Sequence, residues 1–281
     1  NLSSFFLSGL LAEVNSTEPS FYQLVNEAIT NRGNHKFRPK THKQSKNMKT
    51  TTLRPRGFTL VELLVVIVII AALAGLSAPM ILRQQKAAAR TEAISNAKQV
   101  GLALLEFDQE YGSFPDNDTA EEVAASTGSD LNLSGDTSND YFRQLIAYGI
   151  QSEDIFFTKT AYTRKPDNVI NASNALEPGE VGFGYVMLNA TTAQNTSGNP
   201  GRPVLVTPLL DASTQWQFDT DPYADKAVVL RLDNSATALQ IRGTDKNVTV
   251  GGGKTIQQTG EETVWGTNTN PTLKAPGQRG G

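Results

Sequence analysis

The sequence of 281 residues contains no cysteine. Disulfide bonds, thiolate nucleophiles and cysteine-based metal sites are therefore excluded. Histidine is almost as scarce, and both copies, His35 and His42, precede Gly57. If the segment up to Gly57 is removed, the remaining chain has no imidazole for serine-histidine catalysis or for zinc binding. These absences weigh against a hydrolase, and we predict that the protein is not an enzyme.

Acidic residues are missing from one long stretch, because no Asp or Glu occurs between Glu27 and Glu62. Nine Lys or Arg residues lie in the interval 32–56, whereas 16 basic residues face 25 acidic ones downstream of Gly57. The total charge of −3 is thus a cancellation between a basic block and an acidic remainder. An acidic surface argues against nucleic-acid binding, so we expect no nucleic-acid partner.

The basic block is followed by an apolar run, Leu63–Leu82, which is twenty residues without a charge. At about 1.5 Å per residue, a helix of this length spans a hydrocarbon core of roughly 30 Å. The preceding cations predict a single-pass segment with a cytoplasmic N-terminus and an exported C-terminal head. A plain signal anchor or a cleaved secretory signal is the alternative. The run is longer than the usual apolar region of such signals. The small residues Ala72, Ala74 and Ser77 nevertheless leave cleavage by signal peptidase as an alternative.

Glu62 stands at the edge of this apolar run. A carboxylate there costs on the order of 1 to 3 kcal/mol unless it finds a partner. Cleavage between Gly57 and Phe58 would create a protonated α-amino group on Phe58, four residues from Glu62. We expect that amine, in the same helix or in a neighbouring subunit, to be the counter-ion of Glu62.

The segment Gly57-Phe58-Thr59-Leu60-Val61-Glu62-Leu63-Leu64 resembles the prepilin processing motif of type IV pilins and type II secretion pseudopilins. The resemblance implies cleavage between Gly57 and Phe58 by an inner-membrane prepilin peptidase, followed by N-methylation of Phe58. It also implies that Glu62 sets the register of subunits that join a helical fibre. Pro79 lies where many members of the family have a proline, and we expect it to kink or loosen the helix.

The same resemblance implies the partners of the chain. They are copies of itself or other pilins, the prepilin peptidase and methyltransferase, an inner-membrane assembly platform and the membrane itself. The segment Phe107–Pro115, FDQEYGSFP, is similar to the point at which pseudopilins leave their long helix. Together with the lack of a C-terminal disulfide, it favours a secretion pseudopilus over a pilus. The rival hypothesis is a membrane-anchored, exported binding protein or enzyme that does not polymerise.

The N-terminal part fits the family poorly, because prepilin leaders are generally short and basic. Starting from Met48, residues 48–57 would form a leader of ordinary kind, MKTTTLRPRG. We therefore expect residues 1–47 to be an over-extended reading frame or a poorly structured tail, and we assign them no function.

We predict an α+β fold of the pilin kind, in which a long N-terminal helix packs on a small antiparallel sheet. The helix is expected to be transmembrane over 58–82 and amphipathic over 83–112, about 80 Å in all. Gly112 is its expected C-cap, since Pro115 follows closely. An exported head over 113–265 and a flexible tail over 266–281 complete the organisation.

The head is predicted to contain two short helices and several strands. Helices are expected at Ala120–Ala125 and Tyr141–Tyr148. Strands are expected at Val181–Leu188, Pro203–Leu210, Ala227–Leu232, Ala238–Arg242, Asn247–Val250 and Thr263–Trp265. Asp233-Asn234-Ser235 supplies turn chemistry, so the third and fourth strands should form a hairpin.

An acidic loop in the head is the candidate metal site. Asp219, Asp221 and Asp225 lie close together in the sequence, and alternate carboxylates on a loop bind calcium through hard oxygen ligands. Some major pseudopilins hold calcium in a loop near this part of the fold. The spacing is not that of an EF-hand, and such loops are usually only solvated. We therefore expect no required cofactor, with these three residues as calcium candidates.

Overall fold

A computed structural model describes residues 57–278, except Ser173 and residues 211–215 and the side chains at positions 79 and 251. The expected extension over 1–47 and the leader up to Arg56 lie outside the described residues. The described residues from Thr59 onward form one compact unit.

The longest element, α1, is a continuous helix over Leu60–Tyr111. Its 52 residues correspond to about 78 Å. It ends at Gly112, which adopts φ 77° and donates its N–H to the carbonyl of Asp108 at 2.8 Å. Glycine reaches this left-handed conformation without a Cβ penalty. The predicted end is confirmed, whereas the helix begins two residues after the predicted start at Phe58.

Two shorter helices follow where the sequence predicts them. Helix α2 spans Asn117–Thr127 and helix α3 spans Ser138–Tyr148. Asp116 is the N-cap of α2, and its carboxylate accepts hydrogen bonds from the N–H groups of the first turn. A 3₁₀ helix over Asp154–Phe156 comes next. Both helices are longer at their N-terminal ends than predicted, because residues at and after a cap read as loop in the sequence.

Short strands build the rest of the described head. Their bounds are β1 Gly184–Met187, β2 Pro203–Thr207, β3 Lys226–Arg231, β4 Ala236–Gln240, β5 Thr249–Gly251, β6 Lys254–Thr255 and β7 Thr272–Lys274. Five of them form a sheet in the order β4-β3-β2-β1-β7, with every neighbouring pair antiparallel. Strands β5 and β6 form a separate pair. The predicted α+β architecture and the β3–β4 hairpin are confirmed.

Both faces of the five-stranded sheet are covered. One face packs against the second half of α1, and the residues of this core include Ala93, Ala97, Val100, Leu104, Phe107, Tyr185, Leu205, Val228 and Leu230. The other face lies under the C-terminal loops, in a core that includes Val186, Val206, Phe218, Val229, Ile256 and Trp265. Double coverage explains why β1 and β2 read as continuous apolar runs rather than as alternating ones.

Two predictions about the C-terminal part are wrong. Thr263–Trp265 forms no strand. Trp265 lies in a bend, is buried, and donates its indole N–H to the carbonyl of Ile256 at 2.7 Å. The tail after Gly266 is not uniformly loose, because β7 pairs with β1 at the sheet edge. Beyond β7, the Gly277 carbonyl accepts a 2.7 Å hydrogen bond from Gly179 N–H. Hydrogen bonds between residues so far apart in the chain produce no local sequence pattern from which they could be predicted.

Candidate processing and assembly site

The first half of α1, residues 60–82, is apolar and uncovered. Every side chain described in this half is exposed, including Leu60 at 79% and Leu76 at 77%. Burying a side chain of this size is worth about 1.5 to 3 kcal/mol, so the surface requires lipid or other helices around it. Among the described residues, α1 alone is long and apolar enough to cross a membrane, by length and composition.

A hydrogen-bonded cap fixes the start of this helix. Thr59 is the N-cap, with φ −78° and ψ 150°, and its hydroxyl oxygen accepts the N–H of Glu62 at 3.2 Å. In return, the Glu62 carboxylate accepts the Thr59 N–H at 2.8 Å and the Thr59 hydroxyl at 2.7 Å. This reciprocal arrangement is a capping box, which satisfies backbone donors that a helix start would otherwise leave without partners.

The cap orients the Glu62 carboxylate toward the N-terminal end of α1. Both of its bonds to Thr59 end on Oε2, so the capping box does not use Oε1. A negative charge at this end also interacts favourably with the helix dipole. Glu62 is exposed and lies at the boundary of the apolar surface. The site can therefore offer one carboxylate oxygen to a cation without giving up the cap.

The residues of the predicted cut lie just before the helix. Gly57 and Phe58 belong to no helix or strand, and both are exposed, Phe58 by 79%. An accessible peptide outside regular structure is what a protease requires. The roles of Gly57, Phe58 and Glu62 in cleavage, methylation and assembly stay predictions.

Pro79 and the acidic loop are the other predicted sites. Helix α1 continues through position 79, and the expected kink stays a prediction. In the acidic loop, Asp221 forms an ion pair with Lys86 of α1 at 2.6 Å. Its N–H also donates to the Asp219 carboxylate at 2.9 Å. Within the described residues, Asp219, Asp221 and Asp225 do not form a joint carboxylate group of metal-site dimensions. Calcium binding by these three residues stays a prediction.

Comparison with known proteins assigns the N-terminal segment. Residues 53–78 match the family described as the prokaryotic N-terminal methylation motif. This motif is the prepilin-type cleavage and methylation signature of type IV pilins and pseudopilins, so the predicted resemblance is confirmed. It supports a type IV pilin-like precursor that prepilin peptidase processes. No curated protein and no solved structure matches the chain.

Two features of the structure escaped the sequence analysis. The capping box had a readable signal, since Thr59-Leu60-Val61-Glu62 follows the pattern of Ser or Thr followed three residues later by Glu. The second feature is a group of three acids, Glu153, Asp167 and Glu180. It had no readable signal, because its members are separated by 13 residues or more and meet only through the fold.

Proposed function

We propose that this chain is a structural, non-enzymatic subunit of a pilus-like fibre, in the first place a type II secretion pseudopilus. Prepilin peptidase removes the leader after Gly57, and the new N-terminus at Phe58 is methylated. The first half of α1 holds the subunit in the inner membrane and then packs with other subunits in the fibre. The match of residues 53–78 to the methylation motif carries this proposal.

The division of labour along α1 supports the proposal. The second half contributes Ala93, Ala97 and Phe107 to the head core, so the head does not need the first half for its packing. The first half has an apolar surface on all sides, which suits lipid before assembly and neighbouring helices afterwards. A subunit that moves from membrane to fibre requires these two environments for the same segment.

Glu62 supports assembly through charge. In an apolar surrounding, a carboxylate requires a partner, and the protonated amine of a processed Phe58 is the complementary group. Since the capping box engages only Oε2, the Oε1 atom is available for the amine of the same or a neighbouring subunit. The sequence YGSFP at Tyr111–Pro115 and the absence of cysteine favour a pseudopilus over a pilus.

The charge of Glu62 can be separated from its capping role. Gln at this position of a capping box still accepts the backbone N–H but carries no charge. We expect Glu62→Gln to reduce incorporation into fibres by at least tenfold, measured by shearing and sedimentation in cells that express the assembly machinery. Thr59→Ala, which weakens the cap and keeps the charge, and Glu121→Ala, an exposed acid of α2, should assemble normally.

The same experiment distinguishes a fibre subunit from the rival function, a membrane-anchored protein that does not polymerise. A membrane-anchored protein that does not polymerise would give no sedimenting fibre and no effect of Glu62→Gln. Mass spectrometry of the mature chain provides the second test, for which we expect an N-terminal methylated Phe58. An N-terminus at any other residue would contradict the proposal.

A further inference from the structure

Three acids come together in the head, far along the chain from Glu62. Glu153 is the N-cap of the 3₁₀ helix, Glu180 lies in the turn before β1, and Asp167 lies in the loop between them. One carboxylate oxygen from each lies within 4.8 Å of the other two. Glu153 and Glu180 are both 0% exposed, whereas Asp167 is exposed. The cluster is thus buried on two sides and reaches solvent through the third acid.

The Glu153 side chain is fixed in place yet incompletely satisfied. Its Oε1 accepts the N–H of Leu176 at 2.6 Å, and its own N–H donates to the Asn168 side-chain oxygen at 2.9 Å. Its Oε2 is buried and has no hydrogen-bond partner. A buried carboxylate oxygen without a donor is costly, and most such atoms in native proteins have a partner. The unsatisfied oxygen marks a place for a positively charged ligand.

Glu180 is also incompletely hydrogen-bonded, although it has an ion-pair partner. Its Oε2 accepts the N–H of Glu177 at 2.8 Å, while its Oε1 is buried and makes no hydrogen bond. The nearest cation to Oε1 is the Arg164 guanidinium at 3.2 Å, which also pairs with Glu177. Within the described residues, Arg164 pairs with Glu177 and Glu180, and neither Glu153 nor Asp167 forms an ion pair. Burial of charge at this density requires a further cation or a proton.

The titration behaviour agrees with this deficit. Burial raises the pKa of Glu153 and of Glu180 above the usual value of a glutamate. The negative charges of neighbouring acids raise the pKa of Glu153 further, whereas hydrogen bonds from Leu176 and Asn168 lower it. A cation bound between the carboxylates would reverse these effects, because it stabilises their charged forms.

We propose that Glu153, Asp167 and Glu180 bind one calcium ion. The three donors are hard carboxylate oxygens, which suit calcium and magnesium rather than softer metals. Calcium bonds to oxygen at about 2.3 to 2.6 Å, so opposite ligands around one ion lie about 5 Å apart. One oxygen from each acid, all within 4.8 Å of one another, fits that sphere. Magnesium, at about 2.0 to 2.1 Å, demands stricter octahedral geometry than calcium and gives up its water ligands reluctantly.

A calcium ion at this site would cross-link the two ends of the loop between the 3₁₀ helix and β1. Glu153 and Glu180 stand at its two ends, and Asp167 lies near its middle. Calcium would therefore tie the loop to the start of the sheet in the exported head. This calcium site is distinct from the acidic loop of Asp219 and Asp221, and it does not depend on fibre assembly.

Calcium titration of the full chain in detergent tests the inference. After treatment with a chelator, calorimetry with calcium chloride should show one ion bound per chain. Thermal unfolding is monitored by tryptophan fluorescence. At a calcium concentration a hundredfold above Kd, its midpoint should rise by about 5 °C or more. Magnesium chloride should give a smaller rise. No rise with calcium, or a larger one with magnesium, would overturn the inference.

Variants locate the response. Glu153→Gln and Glu180→Gln should abolish calcium binding and leave the metal-free unfolding midpoint unchanged or higher, since a neutral amide removes repulsion. Asp167→Asn, at an exposed position that poses little risk to folding, should weaken binding at least tenfold. Asp221→Asn is the matched control from the other acidic loop and should respond as the unmodified chain does. Loss of the response in Asp221→Asn, or an unchanged calcium affinity in Asp167→Asn, would overturn the assignment. Glu62→Gln should bind calcium normally, which separates this inference from the proposed function.

Discussion

The two halves of α1 belong to one continuous helix but meet different surroundings. The described side chains over 60–82 are all exposed and almost all apolar. Over 83–111 most apolar residues recur on one face, which the head buries, and polar residues occupy most of the remaining surface. A helix that is apolar all round requires an apolar environment on every side, whereas a striped helix docks on one surface. The comparison shows how a single element can serve both a membrane and a folded head.

The largest expected effect comes from the half of α1 that packs on the head, residues 83–111, which we call the docked half. Phe107 is 0% exposed, in the core between α1 and the sheet. We expect Phe107→Ala to lower the free energy of unfolding of the head by about 3 to 5 kcal/mol, through lost burial and a cavity. Urea unfolding in detergent, followed by tryptophan fluorescence, measures it. Leu64→Ala, in the uncovered half, should leave the midpoint unchanged; an equal loss there would break the comparison.

The membrane role of the first half is tested by a charge. Leu73 lies near the middle of the apolar run, where an arginine costs about 2.5 to 3.5 kcal/mol of insertion free energy. We expect Leu73→Arg to reduce co-flotation with lipid vesicles by about a hundredfold while the head stays folded. Leu102→Arg is the matched control, because Leu102 is 54% exposed but lies in the docked half. Equal loss by both variants would contradict the assignment of lipid contact to residues 60–82.

The cap at Thr59 should have a local effect. Removing an N-cap side chain costs about 0.5 to 2 kcal/mol of helix stability. We expect Thr59→Ala to speed amide hydrogen exchange in the first turn of α1 by roughly threefold to thirtyfold, with unchanged exchange in the docked half. Faster exchange around Phe107 would indicate that the two halves are coupled more tightly than their packing implies.

The smallest effect is expected at the boundary between the halves. Lys86 pairs with Asp221 at 2.6 Å, but the Asp221 side chain is 82% exposed. Solvent and salt screen such a pair, which is worth about 0 to 1 kcal/mol. We expect Lys86→Ala to shift the unfolding midpoint of the head by no more than about 3 °C at low salt and by less at 1 M salt. A larger shift of the midpoint would mean that the docked half extends further toward the N-terminus of α1 than its packing indicates.

Much of the architecture was predictable because its causes are local. The uninterrupted apolar run, the stripe after it and the glycine at 112 together define α1. Asp233-Asn234-Ser235 joins β3 to β4, and the turn closes with a 2.9 Å bond from Arg231 N–H to the Ser235 carbonyl. The methylation motif is likewise a contiguous string of residues. Each of these features depends on neighbours in the chain, so one sequence suffices to read it.

Other features depend on contacts between distant residues. Strand β7 pairs with β1, although Leu273 and Val186 are far apart in the chain. Gly101 reads as a weak point in a helix, yet a Cβ there would lie 2.1 Å from the Asn234 side-chain oxygen and 2.9 Å from Leu230. The glycine thus permits the β3–β4 hairpin to approach α1 closely. Neither fact has a signature within a single segment.

The sequence by itself determined the apolar first half of α1, its methylation motif and the division between an apolar segment and an acidic head. These properties follow from the order of residues along one helix and from their charge. Only the tertiary structure decided which acids meet, since Glu153 and Glu180 are joined by the folding of the loop between them. It also decided that β7 closes the sheet edge beside β1, because that pairing joins residues far apart in the chain.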